Sequence, residues 1–163
     1  MVTEVGHFAD RASADAAYQE LLQEGFSRDN ISVMGPGREG ERGLPPRDTV
    51  TTGGAATVGI IEGLLLGAVA MLIPGFGPVV AVGPVAAALT GVVTGGITGL
   101  VIGGIAGALI HAGVAEDTAR YYEDRLRHGG ILMLVRTDEQ RGSEARRTLE
   151  RHGADVRGSG VGA

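Results

Sequence analysis

Few residues in this sequence have the side-chain types and the spacing that catalysis or ligand binding requires. The nearest match to a binding motif is a G-x-G-x-x-G pattern at Gly35, Gly37 and Gly40, which follows a predicted strand. In dinucleotide-binding proteins a helix begins directly after this pattern, and its N-terminus binds the pyrophosphate. Here the pair Pro45-Pro46 follows, so that helix is missing and we expect no dinucleotide site.

Other catalytic and metal-binding chemistry is excluded by residue type or by spacing. The chain contains no cysteine and no lysine, which excludes thiol nucleophiles, thiolate metal sites, Schiff bases and a Walker-type lysine. None of the four histidines has metal-ligand spacing to another ligand, and we interpret them as surface or strand-end residues: His7, His111, His128 and His152. No nucleophile elbow or pair of catalytic carboxylates is present. We therefore predict no catalytic residue, no cofactor and no metal site, and expect a protein that is not an enzyme.

Glu62 is the one unusual ionisable residue, because it is the only formally charged residue between Thr49 and His111. A charged side chain at the centre of a bilayer costs about 2.5–3.5 kcal/mol on insertion scales, so such residues usually have a function. Glu62 lies near the start of its apolar run, however, where the hydroxyls of Thr94 and Thr98 are expected to donate to it. We favour this structural role, and proton or ion handling in a pore is the alternative.

Two glycine-rich apolar runs would position Glu62. Glycine recurs at every fourth position in both runs, namely at Gly59, Gly63, Gly67, Gly91, Gly95, Gly99, Gly103 and Gly107. Residues four apart share one face of a helix, and a stripe of glycines lets a second helix approach closely. A second, polar stripe lies beside the glycines at Thr90, Thr94 and Thr98. When the chain is folded back about Val79 the two glycine stripes face each other, so we predict a glycine-zipper helical hairpin over residues 53–112.

The lengths of the two runs favour a membrane-spanning hairpin. A transmembrane helix needs about 20 apolar residues, and the predicted spans are Ala55–Ile73 and Val85–Ile110. The segment PGFGPVVAVGP, Pro74–Pro84, would then form the turn at the far membrane face. Arginines flank the hairpin on its other side, which places the domain and both termini in the cytoplasm under the positive-inside rule. The alternative is a soluble homo-oligomer in which the hairpins of several subunits bury one another.

Removing the hairpin leaves a small polar domain in two halves. Each half, residues 1–35 and residues 129–157, predicts a βαβ unit. The remaining segments are a linker at 36–52, a connecting helix at 113–128 and a flexible tail at 158–163. The halves match at a constant offset, which aligns Asp10 with Asp138, Ala17 with Ala145, Leu21 with Leu149 and Gly25 with Gly153. Two such units pair most simply into a four-stranded antiparallel sheet with two helices on one face, so the predicted fold is α+β and ferredoxin-like.

The elements expected within the domain follow from hydrophobic periodicity and from helix-start and helix-stop residues. The expected strands are Thr3–Phe8, Asn30–Met34, Ile131–Val135 and Ala154–Arg157. The expected helices are Ala14–Glu24, Val114–Arg127 and Ser143–His152. Tyr121 and Tyr122, in the middle one of these helices, either lie at a lipid headgroup interface or pack on the domain.

The net charge and the N-terminal sequence limit the classes of partner and the cellular locations that we expect. The net charge of −5 argues against nucleic-acid binding. The first residues, MVTEVGHFADRAS, lack the basic start and the apolar core of a signal peptide. We expect a homo-oligomer, with the lipid bilayer as a further partner and no small-molecule substrate indicated. The expected location is the cytoplasmic membrane, and the alternative is the cytoplasm.

Four segments together resemble the bacterial general stress protein family. They are the strand and D-x-x-x-A pattern at Val5–Ala14, the GFSRDNISVMG segment, the IPGFGPVVAVGPVAAALTG segment, and GVAEDTARYYEDRLRHGGILMLVR at Gly113–Arg136. Members of that family include heat-induced and low-temperature-induced stress proteins. The resemblance implies a stress-associated protein without enzymatic activity, built on a glycine-rich hydrophobic segment, and it implies no catalytic residues.

Overall fold

The computed structural model describes residues 1–36, 69–73, 77–85 and 104–157, and in these ranges the chain is a mixed α/β structure with an antiparallel sheet. The strands are β1 (Val2–Phe8), β2 (Ile31–Pro36), β3 (Val69–Ile73), β4 (Gly77–Val82) and β5 (Ile131–Thr137). The helices are α1 (Arg11–Gln23), α2 (Gly104–His111), α3 (Glu116–Arg127) and α4 (Glu139–Arg151). A short 3-10 turn, Arg28–Asn30, precedes β2.

The sheet brings the two halves of the domain together, in the order β1-β5-β2-β4-β3. Strand β5, from the second half, lies between the two strands of the first half, and its Leu134 is paired with both Val5 and Ser32. On the outer edge of β1, His7 forms an isolated bridge with Asp155. The last strand of the domain was expected at this position. Strands from both sequence halves are therefore needed to form the centre of the sheet.

Helices cover both faces of this sheet, which explains why β5 begins with five consecutive apolar residues. A strand that is buried on both faces has no polar side to alternate with. One face packs against α2 and α3 through Val5, Leu132 and Leu134. The opposite face packs against α1 and α4 through residues such as Met133 and Val135. The two helices of the predicted βαβ units, α1 and α4, thus share one face, and α2 and α3 cover the other.

Helices α1 and α4 begin and end in the same way, as the sequence match between the two halves predicts. The Asp10 carboxylate accepts a hydrogen bond from the Ser13 amide at 2.8 Å, and the Asp138 carboxylate accepts one from the Arg141 amide at 2.8 Å. At the other end Gly25 has φ 86° and Gly153 has φ 82°. A glycine in this left-handed conformation lets the chain leave the helix while amides beyond it satisfy the last carbonyls. The matched positions therefore have matched structural roles.

The predicted helix boundaries agree with the structure to within a few residues, and the largest difference among them is at the start of α4. The prediction places this start at Ser143, directly after Gly142, a residue type that costs about 1 kcal/mol inside a helix. The helix in fact begins at Glu139. Gly142 has a packing reason to be in it, since a Cβ atom at this position would lie 2.8 Å from Cγ2 of Val2. Close approach between α4 and β1 thus outweighs helix propensity.

Residues 53–112, predicted as the hairpin, are called the glycine-rich insert below. The middle of this insert is part of the sheet, which contradicts two predictions. Val69–Ile73 is predicted to end a helical span, but it forms strand β3. The segment predicted as a turn at the far membrane face contributes strand β4, which pairs with β2 so that Ala81 is opposite Met34. Short apolar runs fit a buried strand and a buried helix equally well, and here the free edge of β2 decides in favour of a strand.

The last part of the insert agrees better with the prediction. Pro84 and Val85 are helical, and helix α2 ends the second run at His111. Ile105 and Leu109 of α2 are buried in the same apolar cluster as Val85. Among the residues that the structure describes, no helix is both long and apolar enough to cross a membrane.

Most residues of the predicted glycine seam lie outside the described ranges. Those residues are Gly59, Gly63, Gly67, Gly91, Gly95, Gly99 and Gly103. The predicted polar positions Glu62, Thr90, Thr94 and Thr98 lie outside them as well. Gly107 is described, and it lies in α2. The facing pairs of the predicted zipper, Gly63 with Gly95 among them, stay predictions.

Candidate functional site

A cavity of about 250 Å³ opens where the second glycine-rich run leaves the domain and where it returns. Pro84 and Val85 line it on the departing side, and His111 and Ala112 line it on the returning side. The wall between them is the sheet face that packs against α2 and α3. The residues between these two ends, 86–103, are outside the described ranges. We call this feature the insert-base cavity.

Strand register places the polar lining of the insert-base cavity. Thr3 on β1 is directly opposite Arg136 on β5, and Ser32 on β2 is opposite Leu134. Side chains two residues apart on a strand point to the same face, so these positions share one wall. Asn30, which ends the 3-10 turn before β2, adds a side-chain amide. Three strands and two helix ends thus each contribute a small part of the cavity.

The two hydroxyl groups in the insert-base cavity are held in different ways. The Thr3 hydroxyl donates to the Ala112 carbonyl at 2.8 Å, so its proton is used. The Ser32 hydroxyl accepts from the Val85 amide at 3.2 Å, and Ser32 is only 3 % exposed. Within the described part of the chain the Ser32 proton has no acceptor. A buried hydroxyl is therefore oriented into the cavity with a proton that is available for donation.

The charges around the insert-base cavity are positive or neutral. Arg136 and His111 line it and are exposed, and no described residue in its lining is a carboxylate. In the parts of the chain that the structure covers, the Arg136 guanidinium forms no ion pair. The site can therefore offer several hydrogen-bond donors to an incoming acceptor.

A second cluster of polar side chains fixes the C-terminal segment on α3. The Tyr121 hydroxyl donates to the Asp155 carboxylate, which also accepts from Nη2 of Arg125 at 2.8 Å. The hydrogen bond from Tyr121 is the main reason why the pKa of Asp155 is lowered, and Arg125 contributes in the same direction. The guanidinium of Arg157 stacks 4.0 Å from the Tyr121 ring. These contacts hold the residues that bridge to β1.

Tyr122 is the buried member of this cluster. Its hydroxyl donates to the Val5 carbonyl at 2.8 Å and accepts from the Arg157 amide at 2.6 Å. Burial raises the pKa of Tyr122 to about 12, so the side chain stays neutral at physiological pH. Of the two predicted roles for the tyrosine pair, the structure assigns Tyr122 to packing on the domain. Its hydrogen bonds to backbone groups make it a structural residue.

A third polar cluster joins the two sequence halves on the opposite sheet face. Thr148 donates to the Glu24 carboxylate at 2.8 and 3.0 Å, and Nη2 of Arg141 donates to the Glu24 carbonyl at 2.7 Å. The Arg141 guanidinium also lies 3.9 Å from the Phe26 ring centre. Each group in this cluster has a partner, so the cluster connects α1 to α4 and leaves no group free for a ligand.

The structure distributes the four histidines over separate places. Nε2 of His7 is 2.8 Å from the Gly129 carbonyl, and Nδ1 of His128 is 2.7 Å from the Asp124 carbonyl. His152 contacts the Glu20 carboxylate, and only His111 lines the insert-base cavity. Among the described residues, no three potential metal ligands lie together.

Gly35 of the dinucleotide-like pattern lies in strand β2, close to the side chain of Ile131. A Cβ atom on Gly35 would lie 2.7 Å from Cδ1 of Ile131. The rest of that pattern, Gly37 and Gly40, lies outside the described residues. A glycine inside a paired strand is not evidence for a phosphate-binding loop.

Sequence reasoning missed the polar lining of the insert-base cavity. Thr3, Ser32 and Arg136 are polar positions on strands that are otherwise largely apolar. Such residues on buried strands are the signal that could have indicated a site. The signal was incomplete, because only the register of β1, β5 and β2 shows that the three residues share one face.

Comparison with protein-family models, with curated proteins and with solved structures finds no match to this chain. The class that the structure itself defines is a mixed α/β domain whose antiparallel sheet incorporates part of a long apolar insert.

Proposed function

We propose that this is a non-enzymatic general stress protein that assembles with copies of itself through its glycine-rich insert. The stress role comes from the family resemblance of the sequence. The assembly role is supported by the way in which the insert joins the sheet. The partners are other copies of the chain, and the bilayer is the alternative partner for the apolar runs.

The domain in this proposal has a ferredoxin-like arrangement. In support of it, β1 and β5 are adjacent, and each is followed by a helix on the same sheet face, α1 and α4. Strand β2 flanks β5 on one side, and the bridge at Asp155 flanks β1 on the other. This is the order that two interleaved βαβ units produce. Strands β4 and β3 then extend the sheet beyond β2.

Strand β3 carries the proposal of self-assembly, because it is the last strand of the sheet. In the described part of the chain no strand pairs with its outer edge. Its sequence, VAMLI, contains no charge and no proline, whereas proteins usually protect sheet edges with lysine, proline or a bulge. An apolar edge of this kind is suited to pair with the same strand of a second copy.

The anchoring of the second run supports self-assembly over a membrane-spanning hairpin. Val85 and Ile105, near its two ends, are buried in one apolar cluster. The segment between the described ends, 86–103, has fewer residues than the ~40 that two helical crossings of a bilayer need. A chain that leaves and re-enters the same domain needs two crossings. Packing of the insert against other copies of the chain does not require a segment long enough to cross a bilayer twice.

The experiment that tests this proposal is a mass measurement by light scattering after extraction without detergent. We expect a defined oligomer in the aqueous fraction. Met71→Lys, which places a charge on the edge strand, should shift the protein to smaller species, because charged edges do not pair. Gln19→Lys, on the exposed face of α1, adds the same charge and should leave the mass unchanged.

Two results would contradict the proposal. One is a monomer at every concentration in the aqueous fraction. The other is recovery of the chain only with membranes, which would favour the bilayer as the partner. Gly95→Leu tests the predicted seam separately: a bulky side chain there should block close helix approach and lower the oligomer mass.

A further inference from the structure

We propose that the insert-base cavity binds a phosphate group. This site is separate from the strand edge proposed for assembly, since it lies between β1, β2, β5 and the two anchored ends of the second glycine-rich run. The phosphate is either a free ion or part of a lipid headgroup. Both present the same oxyanion chemistry, and the experiment below distinguishes them.

The donors in the cavity have the chemistry that a phosphate requires. Arg136 supplies a guanidinium, whose planar set of N–H groups matches two phosphate oxygens. The buried Ser32 hydroxyl has an available proton, since its oxygen already accepts from Val85. Asn30 adds a side-chain amide, and His111 adds an imidazole that can donate. None of these four side chains donates to a partner within the described residues.

The lining also disfavours other classes of ligand. A metal cation needs oxygen or nitrogen ligands of high electron density, and no described residue in the lining is a carboxylate. A wholly apolar ligand would leave the Ser32 proton and the guanidinium without acceptors, at a cost in free energy. The cavity volume of about 250 Å³ lies slightly below that of drug-sized pockets, so a small polar group fits it.

The C-terminal end of helix α2 opposes an anion in the cavity less than an uncapped helix end would. Unpaired carbonyls at such an end would repel negative charge. Here the carbonyls of Ala108, Leu109 and Ile110 accept backbone amides, and the carbonyl of Ala112 accepts the Thr3 hydroxyl. The hydrogen bond from Thr3 thus occupies one lone pair of the Ala112 carbonyl at the cavity wall. This gives Thr3 a role in the site without direct contact to the ligand.

The test uses the full chain and two kinds of probe. Inorganic phosphate is titrated at constant ionic strength, with binding measured by calorimetry. Vesicles of phosphatidylcholine, with and without phosphatidic acid, are tested by co-flotation. Arg136→Gln removes the guanidinium from the cavity. Arg147→Gln is the matched control, because it removes an exposed arginine from α4, on the opposite side of the sheet.

We expect saturable binding of at least one probe by the native chain. Arg136→Gln should weaken it about tenfold, the ratio that loss of one charged hydrogen bond gives, and Arg147→Gln should leave it unchanged. Binding of inorganic phosphate supports a free ion as the ligand, whereas binding only of vesicles with phosphatidic acid supports a headgroup. Asn30→Ala, at a half-buried position without a side-chain hydrogen bond, should weaken binding by a smaller factor and serves if Arg136→Gln does not fold.

Failure to bind either probe would overturn the proposal. Equal losses in Arg136→Gln and Arg147→Gln would overturn it too, because attraction would then come from overall charge. The result is independent of self-assembly, since Arg136→Gln should leave the oligomer mass unchanged. The two proposals can therefore fail separately.

Discussion

At the scale of single residues, several buried polar groups in the described part of the chain bond to backbone partners. Tyr122 illustrates this, because its hydroxyl connects the Val5 carbonyl of β1 to the Arg157 amide of the C-terminal segment. Tyr121, its neighbour, uses a carboxylate that is partly exposed to solvent. The two adjacent tyrosines therefore differ in what their loss should cost.

We predict that Tyr122→Phe lowers the free energy of unfolding by about 1–3 kcal/mol, because it leaves the buried Val5 carbonyl and the partly buried Arg157 amide without their partner. Tyr121→Phe should cost less, since water can replace its hydroxyl at Asp155. Urea denaturation of both variants gives the comparison. Equal losses would mean that the Tyr122 hydrogen bonds contribute nothing beyond those of an exposed pair.

The pH dependence of stability should report the contacts of Asp155. Its pKa is lowered in the folded protein, so over the acidic range the unfolded chain binds more protons than the folded one. Stability from this carboxylate is therefore complete above its ordinary pKa of 3.8 and is lost as the pH falls through the folded pKa. We expect Asp155→Asn to be less stable than the native chain at pH 7 and to converge with it in strong acid. A difference that is independent of pH would contradict this account.

At the scale of elements, local signals predicted most helices and strands of the domain and failed at the middle of the insert, where β3 and β4 form. The helix caps at Asp10 and Asp138 and the glycine stops at Gly25 and Gly153 act through neighbouring residues, so the sequence reveals them directly. Strands β3 and β4 depend on a distant partner, the edge of β2. An apolar run with glycines carries no local mark of that pairing. The insert-base cavity was missed for the same reason, because separate segments form it.

The internal match makes a prediction about the two helix stops. Gly25→Ala and Gly153→Ala should each destabilise the protein by about 1 kcal/mol, because both positions have positive φ and neither has a neighbour within 4 Å of a built Cβ atom. The cost is thus conformational rather than steric. Asparagine tolerates this conformation better, so Gly25→Asn and Gly153→Asn should recover part of the loss. Thermal unfolding that shows a loss at one position only would argue against equivalent helix ends.

At the scale of the whole molecule, the insert is built into the sheet at its middle and is anchored again at its C-terminal end. Strands β4 and β3 extend the sheet, and α2 packs on one of its faces with α3. The described parts of the insert therefore share an apolar cluster with the domain. This arrangement places β3 at the edge of the sheet, where we propose that a second copy pairs, and places the insert-base cavity beside the anchored ends of the second run.

The pairing of β4 with β2 is the central claim of this account, and an engineered disulfide tests it most directly. Met34 and Ala81 are opposite each other in the antiparallel register, at a separation typical of disulfide-bonded pairs, and the native chain has no cysteine to compete. Met34→Cys combined with Ala81→Cys should form a bond within one chain on mild oxidation, detected by intact mass and non-reducing electrophoresis. Gln19→Cys combined with Ala81→Cys is the control that should keep both thiols free. Two free thiols in the Met34→Cys, Ala81→Cys protein would show that the insert does not extend the sheet.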